Sequence, residues 1–94
     1  MRDPGFEWDD AKAAKNEARH GVSFKFARNV FGDPFAIERL DDREDYGETR
    51  FVITGMVEGV VLSVAYSEQD GRIRLISARQ ATRVEQDDYF TESG

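Results

Sequence analysis

The chain has 94 residues, 39% of them hydrophobic, and no cysteine, which suits one compact domain without disulfide or thiol chemistry. Its formal net charge of −6 argues against nonspecific nucleic-acid binding, and no stretch approaches the run of about 18 apolar residues that a membrane helix needs. The opening residues Met1 to Gly5 hold no apolar leader-like run, so the expectation is a cytoplasmic soluble protein with one domain over residues 1–94.

The charge is unevenly spread. Asp41 to Glu48 carries five acids and one base, or −4, which leaves −2 for the other 86 residues. Arginine outnumbers lysine ten to three, a balance that favours planar, bidentate contacts over a diffuse positive field.

In chain order, Phe6-Glu7-Trp8 reads as a short edge strand, with Trp8 as a core anchor. Asp9 caps a first helix, Asp10 to His20, which Gly21 stops. Ala11, Ala14 and Ala18 are its weak apolar face. Ser23 caps a second helix, Phe24 to Phe31, where Phe24, Ala27, Val30 and Phe31 follow helical spacing and Gly32-Asp33-Pro34 ends the run. Phe35 to Leu40 reads as a strand, followed by the acidic loop. Arg50 to Val57 and Val60 to Ser67 form a hairpin on the two-residue turn Glu58-Gly59. A four-residue turn, Glu68 to Gly71, leads to a strand at Arg72 to Arg79. Thr82-x-x-Glu85 is a capping box for a last helix to about Phe90.

This order predicts an α+β fold: an antiparallel sheet, two N-terminal helices packed on one face, and a short C-terminal helix. Strand periodicity assigns Phe51, Ile53, Val57, Val60, Leu62, Val64, Tyr66, Ile73 and Leu75 to a core face. Ser77 and Arg79 fall in phase with them. Arg50, Val52, Thr54, Val61, Ser63, Ala65, Ser67, Arg72 and Arg74 take the opposite face, so three arginines gather over small side chains. A bulge in either strand would change that phase.

Arg50, Arg72 and Arg74 repel one another unless an anion bridges them, which points to a phosphate or to a partner's carboxylates. The alternative is a solvated face whose arginines pair with nearby acids. His20, the sole histidine, is the first candidate for general base, since histidine changes charge nearest neutrality; a helix-end histidine favoured by the dipole is the alternative. Tyr66 and Tyr89 come second. For Arg79, an ion pair with Asp9 or Asp10 stands beside a phosphate contact at a helix start. Tyr46 is open to base stacking. The sequence holds no cofactor motif, no zinc spacing, no glycine-rich phosphate loop and no EF-hand pattern.

Phe6-Glu-Trp-Asp9, Lys12, Asn16, His20-Gly-Val-Ser-Phe24, Val30-Phe31 and Asp33-Pro34 resemble the opening of BrnT toxins. Gly47-Glu-x-Arg50-Phe51 and Arg72-Ile-Arg-Leu-Ile-Ser-Ala-Arg79 with Ala81-Thr82 resemble the second half, so the likeness runs from Phe6 to about Tyr89. It implies a RelE-like fold and a ribonuclease toxin of a type II toxin–antitoxin pair that inhibits translation without metal or cofactor. It also implies a BrnA-type antitoxin with a ribbon-helix-helix part, RNA as substrate, operator DNA reached only through the antitoxin, and room for a toxin homodimer in the complex. By carry-over, Arg50, Arg72 and Arg74 bind and stabilise the phosphate, and His20 and Arg79 sit in family-like motifs. Two rivals remain: an inert module that binds its antitoxin as corepressor, and a metal-dependent nuclease built on the acidic loop.

Overall fold

The computed structural model describes residues 2–3 and 5–93. Six strands, β1 (Arg2–Asp3), β2 (Phe6–Glu7), β3 (Ile37–Asp41), β4 (Arg50–Val57), β5 (Val60–Gln69) and β6 (Arg72–Gln80), form one sheet in the order β1-β2-β6-β5-β4-β3. Three α-helices accompany it: α1 (Asp10–His20), α2 (Phe24–Ala27) and α3 (Arg83–Ser93). The class is α+β as expected, but the sheet is mixed, because β2 runs parallel to β6. Nor is β2 an edge, since β1 pairs with its other side. No helix among the described residues is long and apolar enough to cross a membrane.

The two hairpins set the register. Glu58 and Gly59 both have positive φ, 48° and 81°, and so do Asp70 and Gly71, 52° and 75°. Two consecutive left-handed residues match the right-handed strand twist, which is why two-residue turns of this kind close hairpins. The second turn is therefore two residues long rather than four. β5 runs on to Gln69, which pairs with Arg72, and Ser67 pairs with Arg74. The slip is an even number of residues, so Arg72 and Arg74 stay on their expected face.

A bulge makes the larger difference. Tyr66 pairs with Leu75 while Ala65 pairs with Ser77, so Ile76 is the extra residue. One extra residue reverses the alternation beyond it. Ala78 turns into the core with no exposed surface, and Ser77 and Arg79 move to the face of Arg72 and Arg74, correcting the phase expected for both.

The core face carries Ile53, Leu62, Val64, Tyr66, Leu75 and Ala78, packed against Trp8, Val22, Phe24, Ala27 and Val30. Trp8 meets Phe24 edge-on, with ring centroids 6.0 Å apart. The second helix keeps its predicted apolar spacing but tightens: α2 ends at Ala27 and a 3-10 turn runs from Arg28 to Gly32. The opposite face is partly covered by α3. Tyr89 and Ala81 pack there against Val61, with Ile37 and Met56 alongside.

Helix α1 docks in a way the alanine stripe did not announce. Ala11, Ala14 and Ala18 are exposed, and the buried residue is Asn16. Its Nδ2 donates to the carbonyls of Ala78 (2.8 Å) and Val22 (3.0 Å), and its Oδ1 accepts from the Ala78 N–H at 3.0 Å. The amide thereby continues the ladder where β2 ends and satisfies backbone groups that burial would otherwise penalise.

Candidate functional site

The sheet face opposite the main core divides in two. At the α3 end the arginines are bound to a carboxylate. The predicted capping box forms: the Glu85 N–H donates to Thr82 Oγ1 at 3.2 Å, and the Thr82 N–H donates to Glu85 Oε1 at 2.8 Å. The same carboxylate accepts from Arg79 Nη1 (2.6 Å) and Nη2 (3.0 Å), and from Arg39 Nη2 (2.9 Å). Burial works against the charge on Glu85, but Arg79, the Thr82 N–H and Arg39 outweigh it and hold the carboxyl well below its ordinary range. Arg79 is thus in an ion pair, as one expectation had it, but with Glu85 rather than Asp9 or Asp10.

The other end is open. Arg50 and Arg74 line one cleft of about 120 Å³ together with Asp9, Lys12, Glu48, Leu75 and Ile76. Its geometry follows from the register: Ser67 pairs with Arg74 on one side, and Arg50 precedes the Phe51–Tyr66 pair on the other. Arg50 donates from Nε to Glu48 Oε1 at 3.2 Å, and its guanidinium lies 4.0 Å from the centre of the Tyr46 ring. Tyr46 therefore stacks on arginine. The Arg74 side chain makes no hydrogen bond or ion pair among the described residues, although its backbone is paired in the sheet. On the same face, between them in register, Ser67 is 1% exposed and its hydroxyl has no hydrogen-bond partner among the described residues.

Arg72 stands apart from this pair. Its Nη2 donates to the Phe6 carbonyl at 2.6 Å and its Nε lies 3.6 Å from Glu7 Oε1, so it ties β6 to β2. His20 is also elsewhere. Lys12 lines the cleft, and His20 lies eight residues further along α1, about 12 Å at the helical rise. Tyr66 is on the core face, where burial and its bond to Glu38 Oε1 (2.5 Å) raise its pKa well above the ordinary phenol. Tyr89 donates to Asp33 Oδ2 at 2.6 Å; burial and that bond push it up to about 12. Neither tyrosine is poised to accept a proton near neutrality.

Three cleft residues were not singled out by sequence as part of this site: Lys12, Asp9 and Glu48, which wall the cleft. Asp9 and Lys12 read only as a helix cap and a first-turn residue; their proximity to Arg74 depends on how α1 docks. Asp9 does cap α1, accepting from the Lys12 N–H at 3.0 Å, and chiefly that bond lowers its pKa. The acidic loop does not converge. Asp41 accepts from Arg43 Nε at 2.8 Å and Nη2 at 3.1 Å, and no group of three or more acids or histidines among the described residues could hold a metal ion.

A family model described as BrnT, the ribonuclease toxin of type II toxin–antitoxin systems, matches residues 8–85, a span that includes every wall of the cleft. No curated protein matches the chain.

Proposed function

The chain belongs to the BrnT family of ribonuclease toxins of type II toxin–antitoxin systems, and on that premise we propose that it is a metal-independent endoribonuclease whose site is the Arg50–Arg74 cleft. The observation that carries this reading is the guanidinium of Arg74, unengaged among the described residues, facing Arg50 across the cleft. Arg74 lacks an acceptor among the described residues, and a phosphate would supply one.

In this reading Arg50 and Arg74 hold the scissile phosphodiester and stabilise the additional negative charge of its five-coordinate transition state. The RNA's own 2′-hydroxyl attacks phosphorus. Glu48, against Arg50 Nε and 3.1 Å from Gln69 Nε2, takes the hydroxyl proton. The P–O2′ bond forms, the P–O5′ bond breaks, and the departing O5′ takes a proton from water. The products are a 2′,3′-cyclic phosphate and a 5′-hydroxyl end. Arg72, Arg79 and His20 support the site at a distance: Arg72 by holding β2, Arg79 by holding α3, and His20 from the far end of α1. The fold is RelE-like, and the toxin works in the cytoplasm, where it inhibits translation. Its antitoxin is of the BrnA type, whose ribbon-helix-helix part reaches operator DNA.

The test is to express the chain inducibly in bacteria without its antitoxin, beside soluble, folded Arg74→Ala and Glu48→Gln variants. The expected result is growth arrest and RNA with 2′,3′-cyclic phosphate ends for the parent only, and cleavage by the purified parent that EDTA leaves intact. Loss of cleavage in EDTA would move the reaction to a metal. The net charge of −6 favours a second reading, an inert module that binds its antitoxin. A harmless, RNA-inactive parent at comparable expression would select it.

A further inference from the structure

A second groove adjoins the cleft. Lys12, Lys15, Arg19 and His20 of α1 face Ile76 and Ser77 of β6 across a depression of about 230 Å³. Lys12 and Ile76 also wall the Arg50–Arg74 cleft, so the two depressions form one seam along the β6 edge. Lys12, Lys15 and Arg19 stand at i, i+3 and i+7, one face of a helix. All three are exposed, and neither Lys15 nor Arg19 makes an ion pair among the described residues. The acids of α1, Asp10 and Glu17, fall roughly 150° around the helix from Lys12. Asn16 fixes the rotation, because its bonds to Ala78 allow only one side of α1 to face the sheet edge. The Ile76 bulge shapes the floor.

We propose that this seam is a backbone track for single-stranded RNA, which leads the strand across α1 into the Arg50–Arg74 cleft. The inference rests on the nuclease reading for its direction, since it makes the cleft the end of the track. Lys12 to Arg19 spans about 10 Å of helix, enough for more than one phosphate. Lys12, Lys15 and Arg19 set three cationic heads along the walls, carried on aliphatic stems that together with Ile76 make much of the lining apolar; the heads suit phosphodiester oxygens and the stems suit the sugars and bases between them. In a chain of net charge −6, such a track confines attraction for RNA to one line of approach.

The experiment measures the affinity of a fluorescent, fully 2′-O-methylated oligoribonucleotide, which the proposed chemistry cannot cleave, as a function of salt. Three full-length proteins are compared: the parent, Lys15→Gln/Arg19→Gln, and Lys25→Gln/Arg83→Gln. The last removes the same charge from exposed positions outside the seam. The expected result is binding about tenfold weaker for the seam variant at low salt, with a log–log salt slope shallower by about 1.4, since each phosphate contact to a single strand contributes about 0.7. The control should match the parent. Equal losses in both variants, or none in the seam variant, overturn the track. The nuclease reading fails separately: a parent that binds the oligonucleotide along the seam but cleaves no RNA retains the track and loses the enzyme. A parent that cleaves RNA while the seam variant binds like the parent does the reverse.

Discussion

Arg74 differs from the other arginines of its sheet face in what holds it. Arg50, Arg72, Arg79 and Arg39 each contact a carboxylate, while Arg74 contacts none among the described residues. A side chain without native partners contributes little to stability, so its loss should appear in function alone. Arg74→Ala is expected to reduce cleavage about 100-fold or more, the usual scale for one transition-state donor, with an unchanged melting temperature. Normal cleavage by a folded variant would remove Arg74 from the site. Glu85 is the opposite case. It caps α3 and binds two guanidiniums, so Glu85→Ala should cost about 2–3 kcal/mol in a urea titration through the lost cap and charged hydrogen bonds. A loss under about 0.5 kcal/mol would mean that α3 docks through Tyr89 and Val61 without it.

At the scale of elements, two close approaches decide how the helical layer sits. Asn16 joins α1 to β6 through two hydrogen bonds, one to each backbone group of Ala78, and donates a third to the Val22 carbonyl. Asn16→Ala orphans a buried N–H and two carbonyls, and should destabilise the protein by about 3 kcal/mol. It should also speed amide exchange at Ala78; protection equal to that of the parent there would contradict the ladder-mimic role. Gly55 sets the second approach. A Cβ built there lies 2.8 Å from Val30 Cγ2 and 3.0 Å from Ala36 Cβ, so the 3-10 turn rests directly on β4. Gly55→Ala should cost about 1–3 kcal/mol by overpacking. Thermal unfolding checks this, and a neutral result would show that the turn can retreat.

At the scale of the whole molecule, the attachment of α3 makes stability depend on pH at both ends. Glu85 titrates lower in the folded protein than its ordinary 4.5. The stability it contributes is present above that value and is lost as pH falls below it toward the folded pKa. Asp33 behaves alike: burial raises it, but bonds from the Met56 N–H, Tyr89 Oη and the Phe35 N–H win and lower its pKa. Tyr89 titrates high, at about 12 against 10, so its contribution is complete below 10 and is lost as pH rises through 12. Unfolding followed by circular dichroism should therefore show a stability plateau that falls off below about pH 4.5 and above about pH 10. Glu85→Gln should flatten the acid limb, and an unchanged limb would assign the acid loss to other carboxylates.

Much of this was legible in the chain itself. Asp9, Ser23 and Thr82 read as helix caps because their side chains bond N–H groups three residues on, a strictly local interaction. The Glu58-Gly59 turn, the α+β class and the core face from Phe51 to Leu75 followed from backbone preference and period-two alternation, again local properties; Val60, expected on that face, is exposed because it lies beside the turn, beyond the helical cover. The resemblance to BrnT toxins rested on motifs in order along the chain, and the family match agrees with it. What only the tertiary structure decided is non-local. The Ile76 bulge reverses the phase of Arg79, and a bulge depends on how two strands fit together rather than on either alone. The face of α1 is chosen by hydrogen bonds from Asn16 across 62 positions to Ala78, which outweigh a stripe of alanines too small to direct packing. The docking of α1 brings Lys12 beside Glu48, Arg50 and Arg74 around one cleft, while Arg72, held by β2, Arg79, held by Glu85, and His20 lie outside it. Local chemistry names the side chains able to hold a phosphate, and only long-range packing selects which of them can do so together.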